Sequence, residues 1–489
     1  MEFFPRRGQT LFRTLAILCA FTFAAGPAQP VEAGVEAFKN AVERILTHPC
    51  LKKDRYGIEI YSLDRQETLF AVRENILFIP ASNLKLLTTA VALMTLGPDY
   101  RYPTQLYSTG TLSDGVLNGD LYIKGFGDPK FVTEQMWLLV NSLANLPVKK
   151  ITGNLYADET FFDSERRLGT WGKAGNTAAY NAPLGALSFN FNTVTAFVSP
   201  GPGPGSPVRV LLEPKTEFTT VANQAKTVAT GQASHLLVNR LDRGGVNEIT
   251  VSGTLAVGHP REHYFLNITD PARYTVKVLR KYFGHAGIEF AGNTGLKAVP
   301  KGARLLLTHE SEPIALALRG LNKFSNNFVA EQILKTLGAL HFGRPGTTAK
   351  GLKVMGEYLG KLGFKPGAFQ VLDGSGLSRG NRLSAHQFIR TLRQVRENLG
   401  LYPEFISALG VMGVDGNVKK RMNGEENAPR ARVKTGTLKG VSALSGYFQA
   451  EDGELFAFSI LMNDLQCGNG QALQIQDRIV REGLKFKRE

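Results

Sequence analysis

A segment that is apolar nearly all the way round dictates the architecture around it. Between positions 82 and 96 lie Leu84, Leu86, Leu87, Ala90, Val91, Leu93, Met94 and Leu96, spread over nearly the whole circumference. A helix without a wet face has to be buried on every side, so other elements must wrap this one as a central helix. Its first turn nevertheless carries Lys85. Burial disfavours the ammonium, which makes a neutral amine available as a base. Ser82 stands three residues ahead, after Ile79-Pro80-Ala81. Positions i and i+3 share a helix face, so the amine can reach the hydroxyl. A serine opening a helix is most often a simple N-cap. Ser-x-x-Lys also arises by chance in a chain of 489 residues, so this pair gains meaning only from its company.

The two chain ends supply a frame. Residues 57–63 alternate as a strand, Asp64-Arg65-Gln66 is a polar turn, and 68–72 form the return strand. Near the other end, 443–449 and 455–462 make a hairpin around Glu451-Asp452-Gly453, preceded by a strand carrying Lys434. Two strands from the start and three from the end predict an α+β domain with one five-stranded antiparallel sheet. Helices over 35–47 and about 470–486 would flank it. Further helices are expected over 82–96, 328–340, 351–362 and 385–399. From 98 to 307 short alternating strands and glycine turns dominate. Gly119-Asp120-Leu121, Gly153-Asn154-Leu155 and Gly253-Thr254-Leu255 repeat one pattern at irregular spacing. That predicts repeated β-hairpins rather than a solenoid. The expected organisation is an export signal (1–33), a first domain segment (34–97), a mostly β insertion in one or two lobes (98–307) and a second segment (308–489).

Arg6, Arg7 and Arg13 precede a short uncharged apolar run, and Val31-Glu32-Ala33 offers a cleavage site before Gly34. This is the pattern of a secretory signal, and it predicts an exported, periplasmic protein. The formal net charge is +15. Such a basic exported protein suits loose association with an anionic cell wall or lipid surface. Nucleic acid is excluded as a partner class, since no nucleic-acid motif accompanies the charge. Cleavage would leave Cys50 and Cys467. They form a disulfide if the terminal helices cover the same sheet, and are otherwise two separate thiols.

Lys434-Thr435-Gly436-Thr437 makes the set specific. A lysine on an edge strand beside the nucleophile adds a second positive charge, expected to help keep Lys85 neutral. The Thr435 and Thr437 hydroxyls can bind a substrate carboxylate. Gly436 admits a peptide backbone close to the strand. The amides of Ser82 and Thr437 are candidates for an oxyanion hole. Ser325-Asn326-Asn327 precedes a helix; Ser325 could relay a proton and Asn327 could position Lys85. Ser188-Phe189-Asn190 fits the same weak pattern. Other chemistries fit poorly. The histidines are scattered, and Pro260 between His259 and His263 argues against a metal-binding helix. No metal or organic cofactor is called for.

In order and spacing these motifs resemble the penicillin-binding D-alanyl-D-alanine carboxypeptidase/endopeptidase family, low-molecular-mass class C type. The resemblance extends to Gly119–Pro129, Tyr180-Asn181-Ala182-Pro183-Leu184, Asp373-Gly374-Ser375-Gly376-Leu377-Ser378 and Gly413-Val414-Asp415-Gly416. It implies a serine β-lactamase/transpeptidase-like domain interrupted by the insertion. It further implies attack by Ser82 on peptidoglycan stem peptides, and acylation of the same serine by β-lactams. Arg379 and Asp158 are weaker candidates for stem-peptide contacts. A β-lactamase is the first rival, but no deacylating glutamate motif is present. A non-catalytic penicillin-binding sensor or wall-binding protein is the second.

Overall fold

A computed structural model of the chain describes residues 31–171 and 175–488. Positions 1–30 of the expected export signal lie outside the described residues, and 31–33 begin a helix, α1 (Val31–Leu46).

The frame is a sheet of six antiparallel strands. They are β1 (Tyr56–Ser62), β2 (Glu67–Val72), β3 (Gly410–Val411), β4 (Ala431–Leu438), β5 (Val441–Gln449) and β6 (Leu455–Met462), in the order β3-β4-β5-β6-β1-β2. Five are the strands expected from the sequence. The two-residue β3 carries no periodicity of its own and was not expected. It pairs only with Val433 and Arg432. Among the described residues no strand pairs with the same edge of β4 from Lys434 onward.

The sheet is buried on both faces, which is why its central strands β5 and β6 read as near-continuous apolar runs rather than strict alternation. Tyr61, Ala443, Tyr447, Ala457 and Leu461 face α2 (Leu84–Leu96), α3 (Asn327–Phe342) and α4 (Ala385–Arg396). Ile58, Ile60, Leu444, Phe448, Phe458 and Ile460 face α1 and α5 (Asn469–Lys485). The α2 helix is central, as its composition requires. Each fully buried leucine on it contributes roughly 1.5–3 kcal/mol, so several together can offset the cost of enclosing Lys85.

Both terminal helices cover one face, and Cys50 and Cys467 are disulfide-bonded with Cα atoms 5.1 Å apart. The bond closes a loop containing nearly the whole protein. Replacing both cysteines by alanine is expected to lower stability by roughly 2–4 kcal/mol. Denaturant unfolding with and without reductant checks this: only the wild type should respond to reductant.

The insertion corrects one expectation. Leu121–Gly125, Leu155–Asp158 and Thr294–Leu296 run parallel, side by side. Before the corner, Val116–Asn118, Lys150–Ile151 and Glu289–Phe290 do the same. The Gly-Asx pairs are thus corners of stacked parallel rungs, not hairpin turns. Asp120 Oδ1 accepts from the Asn154 amide, and Asn154 Oδ1 from the Asn293 amide, each at 2.9 Å. A Cβ on Gly153 would lie 2.3 Å from the Gly119 carbonyl, so the rungs approach too closely for a side chain there. Spacing misled because helix Thr133–Ala144 leaves between the first two rungs, and two sheets and helix Pro271–His285 leave before the third. Gly253 is no corner; it lies within strand Val246–Ala256. One contiguous apolar core joins these parts. Strand Arg304–Glu310, paired with Pro103–Ser108, spans the boundary expected at 307.

Candidate active site

Ser82 is not an N-cap. It lies in a 3-10 turn, Ala81–Asn83, just ahead of α2, and neither helix start has a side-chain cap. Asn83 anchors this turn to the sheet by donating to Ser445 Oγ (2.6 Å). The Ser82 hydroxyl, half-buried, faces the fully buried Lys85, with Nζ 2.9 Å from Oγ.

Lys85 Nζ has two other partners, Asn327 Oδ1 (2.8 Å) and the Ser375 carbonyl (2.6 Å). Asn327 Nδ2 donates to the Tyr180 carbonyl (3.0 Å), which settles that its oxygen faces the amine. A carbonyl and an amide oxygen can only accept. A neutral amine therefore gives both of its hydrogens to these two groups, and its lone pair is left for the Ser82 O–H. Burial lowers the Lys85 pKa from 10.5 to about 7, although Asp373 and Glu331 act to raise it.

The second lysine is placed differently from expectation. Lys434, on β4, is also fully buried, and its Nζ donates to Ser325 Oγ (3.1 Å) and the Thr435 carbonyl (2.6 Å). Its own pKa is pushed well below the usual lysine value by burial and then by Lys85. The expected role of Lys434 in keeping Lys85 neutral is thus not what dominates; desolvation does that. Ser325 has φ +59°, a left-handed conformation that costs energy in a non-glycine residue, and it ends the turn before α3.

Two glycines permit the close assembly. A Cβ on Gly436 would lie 2.7 Å from the Pro80 carbonyl and 3.1 Å from the Ser82 amide. Gly376 has φ +81°, and a Cβ there would lie 1.9 Å from the Ala81 carbonyl. The β4 edge and the 373–376 turn therefore both press on the backbone that presents Ser82.

Ser82, Lys85 and Asn327 form one hydrogen-bonded group and Ser325 and Lys434 a second, the two lysines close enough to repel, with Thr435, Gly436 and Thr437 continuing along the β4 edge. Arg379 is exposed and donates to the Lys439 carbonyl (2.9 Å), just beyond that edge. Asp158 is not brought to the site. Its carboxylate is buried in the insertion, held by Lys124 (2.8 Å), by Thr160 and by the Val299 amide. Ser188 likewise turns inward to the Gly185 carbonyl (2.7 Å). Sequence patterns missed the Ser375 carbonyl and the carboxylate of Glu331, because a backbone oxygen leaves no residue signature and Glu331 looks like an ordinary helical glutamate.

A serine, a buried lysine with a lowered pKa and an open strand edge backed by a second buried lysine, set between an antiparallel sheet and a helical layer, define the penicillin-recognising class of serine acyl-transfer enzymes. The comparisons sharpen this. The model of the D-Ala-D-Ala carboxypeptidase 3 (S13) family matches residues 38–483, and the chain belongs to that family. The D-alanyl-D-alanine carboxypeptidase of Actinomadura sp. (strain R39) is 32% identical over 485 residues, covering 95% of this chain and 88% of that protein. DacB of Haemophilus influenzae, also a D-alanyl-D-alanine carboxypeptidase, is 25% identical over 442 residues, covering 90% and 91%. The crystal structure of penicillin binding protein 4 (dacB) from Haemophilus influenzae has the same fold, with a TM-score of 0.78 at 24% identity over 91% of this chain and 99% of that one. The chain is accordingly a serine-type D-Ala-D-Ala carboxypeptidase in class.

Proposed function

We propose that Ser82 is the nucleophile and Lys85 its base in hydrolysis of D-Ala-D-Ala termini and cross-links of peptidoglycan stem peptides. The 2.9 Å contact between Lys85 Nζ and Ser82 Oγ, with both amine hydrogens directed elsewhere, carries this reading. The lone pair takes the hydroxyl proton as Oγ bonds to the scissile carbonyl carbon. The Ser82 and Thr437 amides receive the developing oxyanion. Ser325, bridged to Lys434, passes a proton to the leaving amine and is replenished by the proton that Lys85 took from Ser82; the C–N bond breaks, and a Ser82 ester and a neutral Lys85 remain. Water then hydrolyses the ester, with Lys85 again accepting a proton. Asn327 holds Lys85 and meets the acyl-side amide. Lys434, Thr435 and Thr437 bind the terminal carboxylate; the arriving anion restores a proton to Lys434. Gly436 lets the peptide lie along the open edge of β4, and Arg379 meets it at the far end. β-Lactams acylate the same serine. The protein works after export, in the periplasm, loosely associated with the wall or membrane surface through its basic charge.

Labelling with a fluorescent penicillin, followed by peptide mapping, tests the assignment. The adduct is expected on Ser82 and absent in Ser82→Ala; an adduct elsewhere, or none in the wild type, overturns it. Release of D-Ala from a pentapeptide, measured against cleavage of cross-linked dimers, separates the two peptidase activities.

The acylation rate should also depend on pH. Below about 7 Lys85 is protonated and has no lone pair to offer; above it the neutral amine prevails. The second-order rate is therefore expected to rise as pH increases through about 7 and then level off, since it reports the free enzyme. A midpoint near 10 would place the base elsewhere.

A further inference from the structure

The amine lone pair points at Ser82 only because two acceptors hold the amine hydrogens, and one of them is a main-chain carbonyl in a turn. What fixes that turn decides whether the base is aimed. The turn is 373–376, and it lies against the nucleophile's own backbone through Gly376. Its next-to-first peptide is gripped from α3. Glu331, fully buried, accepts from the Gly374 amide with both carboxylate oxygens (3.0 Å each) and from the Ser375 amide (2.8 Å). Thr88, one turn beyond Lys85 on α2, donates to the Gly374 carbonyl (2.6 Å). Asp373 closes the far side, accepting from the Gly376 (2.8 Å) and Ser378 (2.7 Å) amides and from Asn381 Nδ2 (2.9 Å).

A buried carboxylate costs several kcal/mol of desolvation unless something compensates it, and purely structural turns do not need one. Here the carboxyl group does two things at once, even though burial and then Asp373 push its pKa up from 4.5 to about 8 against the pull of the Gly374 and Ser375 hydrogen bonds and of Lys85. It takes the orphan amides of the turn, and it stands on the same α3 helix as Asn327, one turn further along. Asn327 carries the other acceptor of the Lys85 hydrogens. Both acceptors are thereby set from one rigid element.

We propose that Glu331 is a positioning residue for the lysine base. It fixes the Ser375 carbonyl relative to Asn327, so the two together orient the Lys85 lone pair towards Ser82. The inference rests on the reading of Lys85 as the base. A glutamine at 331 keeps the shape but offers one acceptor oxygen, and its NH2 meets a backbone N–H that also donates. The turn must shift, and the Ser375 carbonyl with it.

The test is saturable acylation by a chromogenic penicillin in Glu331→Gln, read as the limiting acylation rate, the non-covalent dissociation constant and the final stoichiometry. A misaimed base is expected to lower the limiting rate by about 10- to 100-fold. The dissociation constant and a stoichiometry of about one acyl group per folded chain should remain. A merely structural glutamate would lower the labelled fraction while the surviving molecules react at the wild-type rate, and that result overturns the proposal. Should the variant not fold, Thr88→Val provides a second measurement. It removes the hydroxyl on the Gly374 carbonyl without a change of charge. A several-fold slower limiting rate supports the proposal and an unchanged rate overturns it. Lys85→Met in parallel separates the two readings. If it acylates normally, the base assignment itself fails. If it is inert while Glu331→Gln is normal, only the positioning role fails.

Discussion

Lys85→Met is expected to reduce acylation of Ser82, by penicillin and by peptide alike, by about 10²- to 10⁴-fold, the range that a positioned general base contributes. The side chains are similar in length, so the core around α2 keeps its volume. What disappears is, among the described residues, the only group within hydrogen-bonding distance of the Ser82 hydroxyl that can accept its proton. Lys85→Arg sharpens the case. Arginine keeps a positive charge and several donors but stays protonated at any accessible pH. If Lys85 acted by charge, arginine would retain much of the rate; as a base it cannot. Both variants are therefore expected to be slow, and the rise in rate through about pH 7 should be absent from the residual activity. Stopped-flow acylation across pH, with melting curves to show that each variant is folded, checks this. A fast Lys85→Arg enzyme would mean that another group deprotonates Ser82.

Much of this arrangement was legible in the sequence because its parts obey local rules. An all-round apolar helix has to be central, and α2 is. A lysine in its first turn has to be reached by something, and Ser82 lies three residues away. Five of six strands announced themselves by alternation, by apolar runs or by the hairpin turns between them. The rest was hidden for physical reasons. Both helices of the insertion, Thr133–Ala144 and Pro271–His285, sit among short strands whose glycine turns dominate the pattern. The stacked rungs depend on pairing between segments more than a hundred residues apart, such as Asn154 with Asn293, which no local window reveals. Asp158 carries the right charge for a stem-peptide amine, but Lys124 takes it inside the fold. The support of the base from the 373–376 turn is a main-chain contact, invisible to any pattern of side chains.

Lys434→Ala carries the second large effect. The β4–β5 ladder runs by backbone pairing from Ala431 opposite Phe448 to Leu438 opposite Val441, so it does not need the lysine side chain. The fold is expected to survive with a cavity where the side chain lay. What is lost is the donor to Ser325 Oγ and the cation behind Thr435 and Thr437. Loss of a preorganised donor of this kind typically slows acyl transfer by about 10²- to 10³-fold. Penicillin and peptide should both suffer, since both present a carboxylate to the same edge. The decisive comparison uses a peptide ending in D-Ala-D-Ala and its C-terminal amide. The wild type should strongly prefer the acid, because the carboxylate is what draws the proton back onto Lys434 against the opposing effects of burial and Lys85. In Lys434→Ala the two peptides should be turned over at similar, low rates. If instead the variant keeps its preference for the acid, the carboxylate is recognised elsewhere, and exposed Arg379 at the end of the same edge becomes the residue to remove next.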